Sequence, residues 1–236
     1  MDQFANTLII IPARGGSKGL PGKNVKLLNG RPLLYYTIDV AREIAADQDI
    51  CLSTDDEEII KVAENYGLKV PFVRPASLAS DNSGTYEVLL HALEFYKNLG
   101  KKYEIIILLQ PTSPIRKGQH IKEALSLYSR DLDMVVSVKK TNSNPYYVLF
   151  EENKNGFLEH SKEGSFSRRQ DCPDVWEYNG AVYIINTDSL RHNKLYEFSR
   201  IKKYEMDKLS SHEIDDELDW LVAENILKNM KLQTNL

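Results

Sequence analysis

Short apolar runs recur along the first 140 residues without the polar alternation of a half-exposed strand. They lie at 7–13, 49–54, 103–111 and 134–140, and a shorter run lies at 69–73. Continuous apolar runs bounded by turn residues are typical of strands that are buried on both faces. We therefore predict a strand at each of these five positions.

Amphipathic stretches with helical spacing separate these runs, at 32–45, 56–67, 85–100 and 118–131. Alternation of strands with helices predicts an α/β fold with a doubly wound, mostly parallel sheet. In such sheets, ligands bind beyond the carboxyl ends of the strands. The polar segments that follow the predicted strands are therefore expected to meet at one edge of the sheet.

Residues 141–176 interrupt this alternation. They contain a predicted hairpin around Asn155 and Gly156, followed by a polar, loop-like segment. A strand at 179–186 and an amphipathic helix at 215–230 complete the chain. We interpret the 236 residues as a single domain, with 141–176 as a small inserted subdomain.

Composition excludes several classes of protein. A formal net charge of −4 argues against nucleic-acid binding, which usually goes with a basic excess. No apolar run approaches the ~18 residues that would span a membrane, and the N-terminus does not resemble a signal peptide. Cys51 and Cys172 form no metal-binding or disulfide pattern. We expect a cytoplasmic protein that binds neither membranes nor nucleic acid.

The loop "ARGGSKGLPGKN" follows the first strand and is rich in glycines and cations. It is not a Walker A loop, because Ser17 and Asn24 stand where Gly and Ser/Thr are needed, and it lacks the GxGxxG dinucleotide pattern. Exposed backbone N–H groups beside cations suit a polyphosphate. The glycines are Gly15, Gly16 and Gly19, and the cations are Arg14, Lys18 and Lys23. A flexible surface turn with solvated lysines is the alternative.

The segment "LLQPTSP" places polar residues directly after an apolar strand. Pro111 and Pro114 stiffen the turn. Rigidly held Gln110, Thr112 and Ser113 would suit hydrogen bonding to a polyol. The alternative is an ordinary strand-to-helix connection.

The segment "HEIDDELDW" is strongly acidic. If it is extended, Glu213 and Asp215 point the same way, and two carboxylates on one side suit Mg²⁺. An acidic helix start that complements the helix dipole is the alternative.

Three further segments carry weaker signals. We interpret "STDD" (53–56) as a helix cap with Ser53 or Asp55 as the capping residue. We interpret 74–85 as either a second cap or an edge that binds a base and ribose. Arg169 and Gln170, in "SFSRRQ", would suit a carboxylate clamp or be solvated. The five histidines show no metal spacing and no triad.

Six segments in this order resemble the acylneuraminate cytidylyltransferase (CMP-sialic acid synthetase) family, over about residues 8–230. They are "IPARGGSKGLPGKN", "STDDEEI", "RPASLASD", "LLQPTSPIR", "NGAVYI" and "EIDDELDW". The resemblance implies a Rossmann-like nucleotidyltransferase fold and transfer of CMP from CTP to a nonulosonic acid, with release of pyrophosphate and help from Mg²⁺. It also implies a homodimer, with the inserted subdomain reaching into the neighbouring subunit's cleft.

The resemblance also implies roles for individual residues. Arg14, Lys23 and Asp215 are the implied catalytic residues, and Glu213 and Asp215 the implied metal pair. The set implied to hold CTP comprises Arg14, Gly15, Gly16, Ser17, Lys18, Lys23, Asn24, Arg74, Ser83 and Thr85. The set implied to contact the sugar acid comprises Gln110, Thr112, Ser113, Arg169, Gln170, Asn179 and Gly180.

Two departures from the family pattern concern the metal and the substrate. Glu213 stands where many relatives carry Asp, which implies a shifted metal or Asp215 as its main ligand. Tyr147 stands where some relatives carry a lysine near the sugar, which leaves the substrate open. Legionaminic acid, Kdn and Kdo are therefore alternatives to N-acetylneuraminic acid. More distant alternatives are a nucleotide-dependent oxidoreductase, which the missing GxGxxG disfavours, and a nucleotide sensor without catalysis.

Overall fold

A six-stranded sheet forms the centre of the protein. The structure is a computed structural model that describes residues 6–17, 19–80 and 84–234, of which 231–234 are described through their backbone only. The strands in these ranges are β1 (Thr7–Pro12), β2 (Leu27–Leu28), β3 (Arg31–Pro32), β4 (Ile50–Ser53), β5 (Ile105–Leu108), β6 (Met134–Lys140), β7 (Phe150–Glu152), β8 (Leu158–His160), β9 (Trp176–Asn186) and β10 (Ile201–Glu205).

Helices cover both faces of the sheet. They are α1 (Leu33–Arg42), α2 (Glu57–Asn65), α3 (Thr85–Asn98), α4 (Gly118–Ser126), α5 (Thr187–His192) and α6 (Glu217–Thr234). The predicted helices are confirmed, with boundaries that differ by a few residues. Within the described ranges, no helix is both long and apolar enough to cross a lipid bilayer.

The strand order of the main sheet is β10-β6-β9-β5-β1-β4. β1 runs parallel to β4 and β5, and β10 runs parallel to β6. β9 is antiparallel to both of its neighbours, β5 and β6. The predicted doubly wound, mostly parallel α/β sheet is therefore confirmed.

The expected strand at 69–73 is wrong. Only Val73 forms an isolated bridge, to Thr54, and its side chain is exposed. Pro71 has no N–H to donate to a ladder, which explains why this apolar run does not extend the sheet. β10 occupies the opposite edge, and its sequence IKKYE carries too few apolar residues to have been predicted.

The apolar runs have no polar alternation because helices pack on both sides of the sheet. On one side, Ile9 and Ile11 pack in the core against α1, α2 and α4. On the other, Leu8 and Ile10 pack against α3 and α5. A third cluster joins the loop after β1 to α6 through Leu20, Leu28, Leu33, Ile214, Trp220 and Ala223.

The predicted hairpin in the 141–176 segment is confirmed. β7 and β8 pair antiparallel, and Gly156 adopts a φ of 81° in the turn between them. The Asn153 side chain accepts hydrogen bonds from the N–H groups of Asn155 and Phe157, both at 3.0 Å. Phe157 and Leu158 are each 69% exposed, so this hairpin presents apolar surface to its surroundings.

The Asp133 carboxylate accepts hydrogen bonds from Ser199 and Arg200, directly before β10, and so holds β10 against the sheet. We predict that Asp133→Asn lowers the free energy of unfolding in a pH-dependent way. Burial alone would raise the pKa of Asp133, but hydrogen bonds from Arg200, Ser189 and Ser199 outweigh it and lower the pKa from 3.8 to about 2. A depressed pKa stabilises the fold above the unfolded pKa, and this contribution is lost as the pH falls from about 4 to 2.

Urea unfolding at pH 7 and pH 2.5 measures this effect. At pH 7 the variant is expected to lose about 2 kcal/mol of unfolding free energy, and most of the difference should vanish at pH 2.5. Asp47→Asn, which breaks an exposed ion pair with Arg42, is the control and should cost under ~1 kcal/mol. An equal loss for Asp133→Asn at both pH values would contradict the explanation.

Candidate active site

A cavity of about 400 Å³ opens beyond the carboxyl ends of β1 and β5. This is the edge of the sheet at which doubly wound folds bind ligands. Ten residues expected from the sequence line it: Arg14, Ser17, Lys23, Asn24, Arg74, Thr85, Gln110, Thr112, Glu213 and Asp215. The loops after β1 and β5 and the segment before α6 therefore meet in one place.

Lys23 connects the first loop to the acidic segment near the end of the chain. Its Nζ donates a hydrogen bond to the carbonyl of Ile214 at 2.7 Å and lies 3.8 Å from Oδ1 of Asp215. Burial lowers the pKa of Lys23, and the negative charges of Asp215 and Glu213 offset part of this shift. The Lys23 ammonium and the two carboxylates thus share one wall of the cavity.

The loop after β5 holds the acidic pair from the other side. Thr112 Oγ1 donates to Glu213 Oε1 at 3.0 Å, and the Ile214 N–H donates to the Thr112 carbonyl at 2.8 Å. Burial raises the pKa of Glu213 and the charge of Asp215 raises it further, whereas the Thr112 hydrogen bond lowers it. Glu213 is thus fixed in place, while the Asp215 side chain is 78% exposed.

Glu213 and Asp215 could hold a divalent cation if a ligand supplied further oxygens. Mg²⁺ commonly takes one or two carboxylates together with water and substrate phosphates. Across residues 6–17, 19–80 and 84–234, no three His, Cys, Asp or Glu side chains are grouped as a metal site. The pair therefore suits a metal that is bound together with a phosphorylated substrate.

Gly180 lets the acidic pair and the sheet approach each other. It has a φ of 69° and lies where the pairing of β9 with β6 shifts register. A Cβ at this position would lie 2.6 Å from Glu213 Oε1 and 2.7 Å from Gln110 Oε1. A Cβ at Gly180 would therefore overlap the side-chain oxygens of Gln110 and Glu213 unless these side chains moved.

The glycine-rich loop is held against the loop that follows β4. The Gly15 N–H donates to Asp55 Oδ1 at 3.3 Å, and Asn24 Nδ2 donates to the Arg14 carbonyl at 3.2 Å. Asp56 caps α2 by accepting from the N–H groups of Glu58 and Ile59, so the cap lies within "STDD" but at Asp56 and not at the expected Ser53 or Asp55. Gly15 and Gly16 shape this loop without lining the cavity.

Arg74 and the start of α3 form the wall opposite the acidic pair. Arg74 is only 4% exposed, its Nε donates to Ser53 Oγ at 3.0 Å, and its guanidinium also donates to the Ser53 carbonyl. Burial lowers the pKa of Arg74. Thr85 begins α3, whose Gly84 N-cap offers no side-chain acceptor, so the positive end of the helix dipole faces the cavity.

Sequence comparison decides the family. The model of the cytidylyltransferase family matches residues 8–232, which is nearly the whole chain. The chain belongs to the cytidylyltransferase family. A cavity that combines cations with an acidic pair is consistent with the nucleotidyl transfer that this family performs.

Curated relatives of this cytidylyltransferase act on sugar acids, according to their names. It is 31% identical to the CMP-N,N'-diacetyllegionaminic acid synthase of Legionella pneumophila, over 94% of this chain and 96% of that one. It is 37% identical to the N-acylneuraminate cytidylyltransferase of Escherichia coli, over 96% of this chain. The match covers 53% of the E. coli protein, so the chain spans about half the length of that relative.

Solved structures agree on the fold. The structure of a CMP-2-keto-3-deoxy-manno-octonic acid synthetase complexed with CTP superposes with a TM-score of 0.70 at 17% identity. The match covers 96% of this chain and 100% of that chain. This confirms the Rossmann-like nucleotidyltransferase fold.

Two expected ligand residues of the cytidylyltransferase lie behind the cavity rather than in its lining. Asn179 is 1% exposed, accepts from Ser137 Oγ at 2.6 Å and donates to Ser211 Oγ at 2.9 Å. Ser113 is 1% exposed, and its hydroxyl has no partner among the described residues. Local sequence could not reveal that these two polar side chains point inwards.

Two others line a different cavity. Arg169 and Gln170 border a space of about 340 Å³ in the 141–176 segment, and Arg169 donates to the Asn142 side chain there. The fold of this chain therefore does not bring them together with Lys23 and Asp215. Lys18 and Ser83 lie outside the described residues.

Some residues of the site were not predicted. Leu78 and Ser80, from the segment before α3, line the cavity, and Arg116 lies buried directly behind Gln110. Arg116 ends the segment "LLQPTSPIR" and has no acidic residue near it in the sequence. Two adjacent cations, Arg116 and Lys117, after a strand-end motif and without a nearby acidic residue were the available signal.

We predict that Gly180→Ala lowers the free energy of unfolding more than the same change at Gly100, a glycine of similar φ with no atoms close to its added Cβ. Gly100 has a φ of 78° with nothing within 4 Å of its added Cβ, so it isolates the cost of the backbone conformation. Gly100→Ala should cost about 1 kcal/mol of unfolding free energy. Gly180→Ala should cost at least ~1 kcal/mol more, because Glu213 and Gln110 must move. Equal losses in urea unfolding would refute the crowding argument.

Proposed function

We propose that this cytidylyltransferase transfers CMP from CTP to a nonulosonic, sialic-type sugar acid and releases pyrophosphate. The observation that carries the proposal is the convergence of Lys23 with Glu213 and Asp215 in a cavity at the sheet edge. The names of relatives that make CMP-legionaminic and CMP-neuraminic acids support the substrate class.

In this proposal the chain positions the nucleotide and neutralises its charge. Arg14 and Lys23 face the triphosphate, whereas Asn24, Arg74 and Thr85 line the cytidine. Lys18 and Ser83 are proposed for the same nucleotide set on the resemblance alone. Phosphoryl and nucleotidyl transfer depend mainly on positioning and electrostatic stabilisation, so no nucleophilic side chain is needed.

The reaction that we propose is a displacement at the α-phosphorus of CTP. The anomeric hydroxyl oxygen of the sugar acid forms a new P–O bond and gives up its proton to solvent water, while the bond from the α-phosphorus to the pyrophosphate oxygen breaks and pyrophosphate leaves. Lys23 stabilises the negative charge of the phosphates before and during this exchange. Gln110 and Thr112 orient the sugar beside the α-phosphate.

Glu213 and Asp215 are the residues that would hold Mg²⁺. Bound there, the metal would supply neutralisation of charge on the leaving pyrophosphate. Because Thr112 already occupies one oxygen of Glu213, we propose Asp215 as the principal ligand. The longer Glu213 side chain then serves to orient the pair.

Pyrophosphate release tests this function directly. Purified protein with Mg²⁺ is assayed against CTP, UTP and ATP, each with N-acetylneuraminic, legionaminic, Kdn and Kdo acids. We expect release with CTP and a nine-carbon acid, little with the eight-carbon Kdo, and CMP-sugar in equal amount. Absence of release with CTP and every acid would reject the proposal, and the sugar with the highest kcat/KM would identify the substrate.

Asp215→Ala distinguishes catalysis from mere nucleotide binding. We expect turnover to fall at least ~10²-fold with under ~1 kcal/mol lost in stability, because the side chain is exposed and makes one long ion pair. Glu217→Ala, which removes the exposed ion pair with Lys26, is the matched control and should keep full turnover. Unchanged turnover in Asp215→Ala would favour the nucleotide-sensor alternative.

We further propose a cytoplasmic homodimer that uses residues 141–176 as its interface. Exposed apolar side chains on this segment support the proposal: Tyr147, Val148, Leu149, Phe150, Phe157 and Leu158. A homodimer also gives Arg169 and Gln170 a role, since they lie apart from the cavity of their own subunit. They would contact the sugar acid in the neighbouring subunit's cavity.

Mixing two inactive variants tests this arrangement. Asp215→Ala and Arg169→Ala are unfolded together, refolded and assayed. If Arg169 acts in the neighbouring cavity, each mixed dimer contains one intact site and one doubly defective site. Activity should then return to roughly a quarter of the wild-type level. No recovery, or full activity of Arg169→Ala alone, would contradict the shared site.

A further inference from the structure

A buried guanidinium lies directly behind the sugar side of the cavity, the part lined by Gln110 and Thr112. Arg116 is 3% exposed and belongs to the segment between β5 and α4. It donates from Nη1 to the carbonyls of Ala181 at 2.7 Å and Gln110 at 3.1 Å, and from Nη2 to Thr37 Oγ1 at 2.8 Å. It therefore connects β9, the loop after β5 and helix α1.

This arginine has no acidic partner in the described ranges. Its three acceptors are two carbonyls and a hydroxyl, and no carboxylate within ion-pair distance is found. Burial lowers the pKa of Arg116 to about 9, so the guanidinium still carries its charge at neutral pH. Buried charges without a counter-charge are costly, and an apolar side chain of the same size would often be more stable. The position therefore calls for an explanation beyond stability.

The two carbonyls that Arg116 binds belong to the segments that shape the sugar side. The Gln110 side chain lines the cavity, and Ala181 directly follows Gly180. The oxygen atoms of Gln110 and Glu213 lie 2.7 Å and 2.6 Å from the point at which Gly180 would carry a Cβ. By bridging both backbones, the guanidinium fixes the distance between Gln110 and the part of β9 at Gly180 that lies against Glu213.

The nucleotide side of the cavity, formed by Lys23, Asn24 and Arg74, is held by other hydrogen bonds. Lys23 is held by Ile214, Asn24 by Arg14, and Arg74 by Ser53. Arg116 donates to none of these residues. A change at Arg116 should therefore alter the geometry of one half of the cavity only.

We propose that Arg116 is a positioning residue that sets the affinity for the acidic sugar by fixing Gln110 against β9 beside Gly180. The inference rests on the proposed function, in which Gln110 contacts the sugar. Arg116 itself touches no substrate. Its contribution is to hold two backbone segments at a fixed separation before the sugar binds.

Steady-state kinetics of Arg116→Lys and Arg116→Met provide the first test. A methionine cannot bridge the two carbonyls, so KM for the sugar acid should rise about tenfold or more while KM for CTP changes less than about twofold. A lysine can donate to one carbonyl and should restore part of the affinity. Thr37→Val, which removes the third acceptor but neither carbonyl contact, is the matched control and should change both KM values little.

Hydrogen exchange of the protein without substrate provides a readout that does not depend on turnover. In Arg116→Met we expect faster amide exchange at 109–116 and 179–183, with unchanged exchange at 7–12 and 20–26. Calorimetric affinity for CTP should be unchanged. If the methionine variant fails to fold, the lysine variant carries both measurements.

The outcomes separate the two proposals. The role of Arg116 would be overturned by equal increases in both KM values or by faster exchange spread evenly over the whole chain. It would also be overturned if neither the KM values nor the exchange rates changed. A wild-type protein that binds CTP but releases pyrophosphate with no acid would reject the proposed function. The exchange pattern and CTP affinity would then still decide whether Arg116 fixes one half of the cavity.

Discussion

The hydrogen bond from the Lys23 ammonium to the Ile214 carbonyl joins the beginning of the chain to its end. It holds the glycine-rich loop after β1 beside the acidic segment before α6, 191 residues later. Leu20 and Ile214 pack in one apolar cluster with α6, which excludes water from the neighbourhood of this contact. Together with the Thr112 contacts to Glu213 and Ile214, this junction fixes the acidic pair at the sheet edge.

Close backbone approach gives the cavity its shape. A side chain at Gly19 would collide with the Asp215 carbonyl, one at Gly15 with the Asp56 carboxylate, and one at Gly180 with Glu213. Gly15 and Gly19 belong to the loop after β1 and Gly180 to β9, and each leaves out a side chain at a junction between two segments. The loops can therefore come close enough for short polar contacts to hold them.

Three buried or half-buried cations surround the site, and each is held by a backbone carbonyl. Lys23 donates to Ile214, Arg74 to Ser53, and Arg116 to Gln110 and Ala181. Burial lowers the pKa of all three. The acceptors of Arg116 are all neutral and do not cancel its charge, whereas Lys23 also lies 3.8 Å from Oδ1 of Asp215. The positive potential of Arg116 therefore remains available to anionic substrates. A cytidylyltransferase whose substrates are a triphosphate and a carboxylic acid would benefit from this arrangement.

Apolar spacing and turn chemistry act over a few residues, so they were enough to predict the helices, the central strands and the segments that follow them. Segments that resemble a known family also assigned Lys23 and Asp215 to one site. The inward direction of Asn179, the separate cavity beside Arg169 and the bridge that Arg116 makes between two backbones are seen only in the folded chain. Such features depend on strand register and on contacts between distant residues, which local patterns do not encode.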